Sequence, residues 1–231
     1  MCGVFVMKSF FVTGIDTGVG KTVFTAALAN LMRQSGIDVG VMKPFATGMT
    51  RNHTIQSEDV ELLVKYSGSV DNQNLINPYF FSIPTSPFMA AKKLGKTIDV
   101  DVVLSIFEKL QSKHNVMLVE GIGGIMTPIM RDYFVADLIK DLNLETILVS
   151  GTKMGSVNHA LLTINVCKKY GIKIVGFVLS ETDADGYSLD DLESNLTSLS
   201  GIDVLCKFPN SQNPVEDASK ILKQNNILSR L

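Results

Sequence analysis

Tryptophan is absent from the 231 residues, and cysteine occurs only as Cys2, Cys167 and Cys206. An odd number of widely separated cysteines, without metal-ligand spacing, excludes a disulfide framework. They are expected as reduced thiols of a cytosolic protein, packed as small apolar groups. No apolar run approaches the ~18 residues that a membrane span requires. The opening Met1-Cys2-Gly3-Val4-Phe5-Val6 is apolar but short, Lys8 follows it, and it lacks the layout of a secretory signal. Met7 is an equal candidate for the start, which would make residues 1–6 an extension. Neither sign of charge prevails: 21 basic side chains face 23 acidic ones, with no basic tract. That argues against nucleic acid as the main partner. His53, His114 and His159 show no metal spacing; His114 is expected as a helix C-terminal dipole partner, and His159, in the first turn of a helix, as neutral. No repeat, low-complexity segment or linker interrupts the chain, so residues 1–231 read as one domain. A chain of this length buries about 70% of its unfolded surface and needs no staples.

What is present is organised around Val12-Thr13-Gly14-Ile15-Asp16-Thr17-Gly18-Val19-Gly20-Lys21-Thr22. The apolar run Phe10-Phe11-Val12 predicts a short buried strand, and Val23 to Arg33 predicts a helix. Strand, glycine loop and helix together are the context of a phosphate-binding loop. Its backbone N–H groups and the helix N-terminus favour phosphate oxygens. Lys21 is placed to reach the β- and γ-phosphates, and the Thr22 hydroxyl to meet Mg²⁺. The common pattern has four residues between its glycines, whereas Gly14 and Gly20 are separated by five. A strand–helix turn that binds nothing is the bland alternative, and the whole context outweighs it.

The remaining chain alternates apolar strands with helices. Strands are expected at Val39–Met42, Val116–Val119, Thr146–Val149, Ile174–Leu179 and Val204–Cys206. Helices are expected from about Ser57, in a segment begun by Pro87, from Asp99 to His114, near Val135–Leu142, from Val157 to Tyr170 with Ser156 as N-cap, near Leu189–Leu199, and after Pro214. Thr50 to Gln56 reads as a polar loop. Such alternation indicates an α/β domain, a mostly parallel sheet with helices on both faces. Its ligand belongs beyond the carboxyl ends of the strands, which makes Thr17, Lys21, Lys43, Thr47 and Glu120 candidates. Lys43 would bring a second ammonium near the γ-phosphate; alone, it could equally be a solvated strand-end lysine. Glu120, followed by Gly121-Ile122-Gly123-Gly124, suits a magnesium carboxylate, against a surface carboxylate. Asp59 suits the same ion, against an ordinary partner of a helix N-terminus.

Taken in order, these segments resemble the dethiobiotin synthetase family. The likeness comprises Val12 to Thr22 with its five-residue spacing, Lys43-Pro44-Phe45-Ala46-Thr47-Gly48, Glu58-Asp59-Val60-Glu61-Leu62-Leu63, Ser86-Pro87, Val119 to Gly124 with Thr127-Pro128, and Gly155 to Thr163. It implies a P-loop NTPase-type fold and a cytoplasmic ligase that closes 7,8-diaminononanoate with CO₂ into dethiobiotin, using ATP and Mg²⁺. It further implies a carbamate and a carbamic–phosphoric anhydride, a homodimer, and no nucleic-acid or membrane partner. By resemblance, Lys43 and Lys21 are catalytic, and Thr17, Gly18, Val19, Gly20, Lys21, Thr22 and Val23 hold the nucleotide phosphates. Gly121, Ile122 and Gly123 join them; Thr22, Asp59 and Glu120 carry Mg²⁺. Thr47 meets the diamine or its carbamate, and Gly155, Ser156, Val157 and Asn158 receive the substrate carboxylate across the dimer interface. In place of the family's adenine-reading asparagine stands Ser180-Glu181, which implies relaxed nucleotide choice; a later base-contacting segment begins near Pro209-Asn210. Two rivals are weighed. Cobyrinate-type amidoligases carry a glutaminase domain for which 231 residues leave no room. Partition and site-selection ATPases carry an early second lysine where this chain has Asp16.

Overall fold

The computed structural model describes residues 8–48 and 57–231. Cys2, Met7, His53, the N-terminal extension and the whole of the Thr50–Gln56 loop lie outside the described residues. Strand β1 is Phe10–Gly14, followed by α1 (Lys21–Gln34) and β2 (Val39–Met42). Later come α2 (Glu58–Ser67), α5 (Val100–Gln111), β5 (Val116–Gly124), α6 (Val135–Asp141), β8 (Glu145–Gly151), α7 (Ser156–Tyr170), β9 (Ile174–Ser180), α8 (Leu189–Ser200), β10 (Val204–Phe208) and α9 (Pro214–Gln224). Between these lie β3 (Phe45–Thr47), α3 (Gln73–Ile76), β4 (Tyr79–Phe81), α4 (Pro87–Leu94), β6 (Pro128–Met130) and β7 (Tyr133–Phe134).

The main sheet has the order β10-β9-β8-β1-β5-β2, and every adjacent pair in it is parallel. All residues of β1 and β2 are buried, so these strands are apolar throughout rather than alternating. The chain leaves β1 towards β2 in one direction and later runs through β8, β9 and β10 in the other. Right-handed crossovers therefore place α1 on one face and α5, α6, α7 and α8 on the opposite one. Helices α2 and α9 both pack on α1 and complete its layer. The order reverses beside β1, which opens a crevice beyond its carboxyl end.

Several differences from the sequence reading have local causes. The β3–β4 pair is parallel and the β6–β7 pair antiparallel, and each is too short to show periodicity. Helix α7 is capped by Gly155 at φ 95°, not by Ser156, which is its first helical residue and buried. A left-handed residue at that turn suits glycine, and the serine preference yields to it. The apolar side chains of Leu94 on α4 and Val102 on α5 are 37% and 42% exposed. His114 does more than end a helix: its ring nitrogens lie 2.8 Å from Asp38 Oδ1 and 2.7 Å from Asp71 Oδ2. Burial lowers its pKa, but the two carboxylates outweigh burial and hold it above the usual histidine range. Cys167 and Cys206 are free and buried, and burial pushes both thiols up to about 12.

Strand β10 forms one edge of the sheet, and its pairing breaks register between Val204 and Cys206. There the Arg230 guanidinium donates to Leu205 O at 2.8 Å and to Val204 O at 3.3 Å.

Candidate active site

The loop after β1 turns on Gly18 and Gly20, at φ 72° and 95°. Gly20 is the N-cap of α1 and no side chain caps that end, so the first N–H groups of the helix face the crevice. A Cβ on Gly14 would stand 2.9 Å from Lys21 Nζ, so the bare backbone there makes room for the ammonium. Lys21 Nζ donates to Asp16 O at 2.8 Å and to Gly123 O at 2.9 Å. Burial, and then the charge of Lys43, lower its pKa to about 8.

Lys43 follows β2 and is 3% exposed. Its main chain is held firmly, its N–H donating to Ile76 O at 2.8 Å and its carbonyl accepting from Asn77 Nδ2 at 2.7 Å. The ammonium lies 2.9 Å from Asp59 Oδ2 and in a short contact with Glu120 Oε1. Burial lowers the Lys43 pKa, but Glu120 and Asp59 outweigh it and leave it raised. Burial likewise raises the Asp59 carboxyl, and Lys43 and Thr22 outweigh that, holding it below the usual carboxylate range. Thr22 Oγ1 lies 3.0 Å from Asp59 Oδ1 and 2.8 Å from Glu120 Oε1. Glu120 is wholly buried, and its Oε2 has no hydrogen-bond partner. Two lysines, two carboxylates and a hydroxyl thus meet at the carboxyl ends of β1, β2 and β5.

A cavity of about 780 Å³ opens over them. It is lined by Thr17, Gly18, Val19, Gly20, Lys21, Thr22, Val23, Lys43, Thr47, Asp59, Glu120, Ile122 and Gly123. Gly121 is not among its walls. A Cβ there would press within 2.8 Å of the Phe11 ring, so this glycine serves strand packing. Pro84, Thr85, Ser86, Thr127 and Pro128 complete the cavity, though no role was read for them in the sequence. Thr127 Oγ1 accepts from Gly124 N at 3.0 Å and fills the space a Gly123 side chain would need. Ser86-Pro87 and Thr127-Pro128 were visible as motifs, but nothing in their spacing indicated a wall. Ser180 and Glu181 line a second cavity of about 370 Å³, together with Pro209 and Asn210, and it shares Gly18, Gly20 and Val23 with the first. Gly155, Ser156, Val157 and Asn158 line neither cavity. They stand at the start of α7, where His159 Nδ1 lies 3.5 Å from Asp16 Oδ2 of the phosphate loop.

A family model described as an AAA domain matches residues 8–217. The ATP-dependent dethiobiotin synthetase BioD of Nitrosopumilus maritimus (strain SCM1) is 48% identical over 203 residues, which cover 88% of this chain and 89% of that protein. The BioD of Bacillus subtilis (strain 168) is 37% identical over 203 residues, covering 88% and 85%. This chain belongs to the dethiobiotin synthetase family. Membership in the synthetase family rests on sequence, because the fold is shared much more widely. The cell division ATPase MinD of Pyrococcus furiosus superposes with a TM-score of 0.58 over 97% of this chain and 98% of its own, at 13% identity. At that identity the likeness establishes the P-loop α/β fold alone.

Proposed function

We propose that this synthetase closes 7,8-diaminononanoate and CO₂ into dethiobiotin, converting ATP to ADP and phosphate. The observation that carries the reading is the buried Lys43 ammonium, set among Asp59, Glu120 and Thr22 opposite the phosphate loop. One amine adds to CO₂ and loses a proton, giving a carbamate. A carbamate oxygen attacks the γ-phosphorus and ADP departs. The second amine then attacks the carbamoyl carbon and gives up a proton, phosphate leaves, and the ureido ring closes. Each step concentrates negative charge where Lys21 and Lys43 can meet it, so positioning and charge stabilisation are the work required of the protein. Thr17 to Val23 hold the phosphates, Ile122 and Gly123 form the facing wall, and Thr47 contacts the diamine.

Mg²⁺ suits the oxygen donors Thr22, Asp59 and Glu120, and the unpartnered Glu120 Oε2 has a lone pair to offer. Among the described residues, no group of three or more His, Cys, Asp or Glu side chains can hold a metal ion. The ion would therefore be completed by phosphate oxygens and water, as Mg²⁺ commonly is, and would neutralise charge on the transferred group. The second cavity takes the nucleobase against Ser180 and Glu181. The start of α7, Gly155 to Asn158, receives the substrate carboxylate across a homodimer interface. Among the described residues no helix is long and apolar enough to cross a membrane; we place the enzyme in the cytoplasm.

The test is one incubation with 7,8-diaminononanoate, labelled bicarbonate, Mg²⁺ and ATP. Acid-stable label in dethiobiotin with matching ADP supports the reading. ATP hydrolysis that ignores the diamine and leaves no labelled product refutes it and favours a nucleotide switch.

A further inference from the structure

The loops after β8 and β9 are latched together by one residue. Thr152 directly follows β8 and is wholly buried. Its Oγ1 accepts from Thr182 N at 3.2 Å and from Asp183 N at 3.0 Å, and donates to Asp183 O at 2.9 Å. Its own N–H donates to Thr182 Oγ1 at 3.3 Å, and its carbonyl accepts from Tyr187 N at 2.7 Å. The surroundings are shaped to this contact. A Cβ on Gly186 would fall 2.1 Å from Thr152 O, and one on Gly151 would fall 2.3 Å from Thr182 Oγ1. The residues beside the latch leave no room for side chains against the phosphate loop: a Cβ on Gly151 would stand 3.5 Å from Val19 Cα, and one on Gly20 would stand 2.7 Å from Ser180 Oγ.

Each side of the latch leads to a different subsite, the nucleobase pocket of this chain on one side and, on the other, the start of α7, which as assigned above serves the partner's site across the dimer interface. Thr182 lines the second cavity beside Ser180 and Glu181. On the other side, Thr152 stands three residues before Gly155, the cap of α7. We propose that Thr152 is a positioning residue that couples the nucleotide-base pocket to the carboxylate-binding start of α7. This rests on the assignment of those two subsites above. With the base seated against Ser180 to Thr182, the latch fixes where α7 begins, and the diamine then meets an ordered site. By linkage the effect is reciprocal, so the diamine tightens the nucleotide by the same factor.

The experiment is calorimetric titration of the full chain with a non-hydrolysable ATP analogue plus Mg²⁺, with the diamine, and with each in the presence of the other. Wild type binds the diamine more tightly once the analogue is bound. Thr152→Val, close in shape but without the hydroxyl, loses that enhancement and weakens each ligand by roughly 3- to 30-fold. Thr152→Ser restores the hydroxyl and returns both affinities and the enhancement. In turnover, the valine variant raises both KM values more than it lowers kcat. Unchanged affinities and unchanged enhancement in folded Thr152→Val, with only a lower Tm, would overturn the proposal, as would a wild type without enhancement. If the valine variant does not fold, Gly186→Ala presses on the same carbonyl and is read in the same way. Labelled product from wild type is measured alongside. Its absence refutes the assigned reaction, and the analogue affinity of the variants then decides the role of Thr152 at the nucleotide side.

Discussion

Replacing Lys43 with methionine separates two roles of one side chain. The ammonium is almost wholly buried against Glu120, which is itself fully buried. Methionine keeps the length and apolar stem but leaves the Glu120 carboxylate with the Thr22 hydroxyl near one oxygen and nothing on the other. Breaking a buried ion pair from one side costs about 3–5 kcal/mol. The lower end, about 3 kcal/mol, applies here, because the Asp59 side chain is 45% exposed and regains water. For a chain of this size that is a fall in Tm of roughly 6–12 °C. The double variant Lys43→Met/Glu120→Gln removes the stranded charge and should recover most of that loss. Activity should not follow stability: losing a charge aimed at the transferred phosphoryl group lowers kcat by about 10²–10³. Thermal melts and labelled-bicarbonate turnover of wild type, single and double variants make the measurement. A single variant as stable as wild type, or a double variant no more stable than the single, would refute the pairing argument.

Other outcomes follow from the same geometry. Folded Lys21 releases its proton at about 8 whereas the unfolded side chain keeps it to 10.5, so its contribution to stability rises with pH across that window. ATP favours the charged form, so binding at about pH 9 takes up a proton; calorimetry in two buffers of different ionisation enthalpy would detect it, and zero uptake would count against the buried-lysine account. His114 has the opposite sign. Its raised pKa contributes stability that is complete below 6.5 and lost as pH climbs through the folded value. His114→Gln should therefore shift the urea midpoint more at about pH 5.5 than at about pH 9, and equal shifts would remove the clamp from consideration. Turnover in equal ATP, CTP and GTP should show weak discrimination at Ser180, and a clear ATP preference would sink that expectation. Gly20→Ala, facing Ser180 Oγ at 2.7 Å with φ 95°, should cost about 1–2 kcal/mol and most nucleotide affinity; wild-type binding by the variant would refute the tight packing of loop on strand.

The phosphate loop was legible because its chemistry is local: glycines, lysine and threonine fall at fixed offsets between an apolar strand and a helix. Lys43, Asp59 and Glu120 were legible as strand-end and helix-start polar residues, but their meeting required the strand order. The burial of Lys43, which decides against a solvated lysine, depends on β5 lying beside β2 and appears in no window of sequence. Gly121, placed by resemblance among the residues that hold the nucleotide phosphates, gives no local sign of its packing role. The constraint on it comes from Phe11 on the neighbouring strand. Thr152 gave no signal at all, since its partners lie about thirty positions away and most of them are main-chain groups, which every residue possesses.

The guanidinium resting on β10 has a consequence for solubility. An edge strand with bare carbonyls and amides is a template for a strand from another molecule. Arg230 occupies two of those acceptors and sets a positive charge at the rim, which discourages a second copy from docking there. A chain cut before Arg230 would retain the whole catalytic apparatus yet expose that template. Its aggregation would then report an opened seam at the sheet edge rather than a failed core.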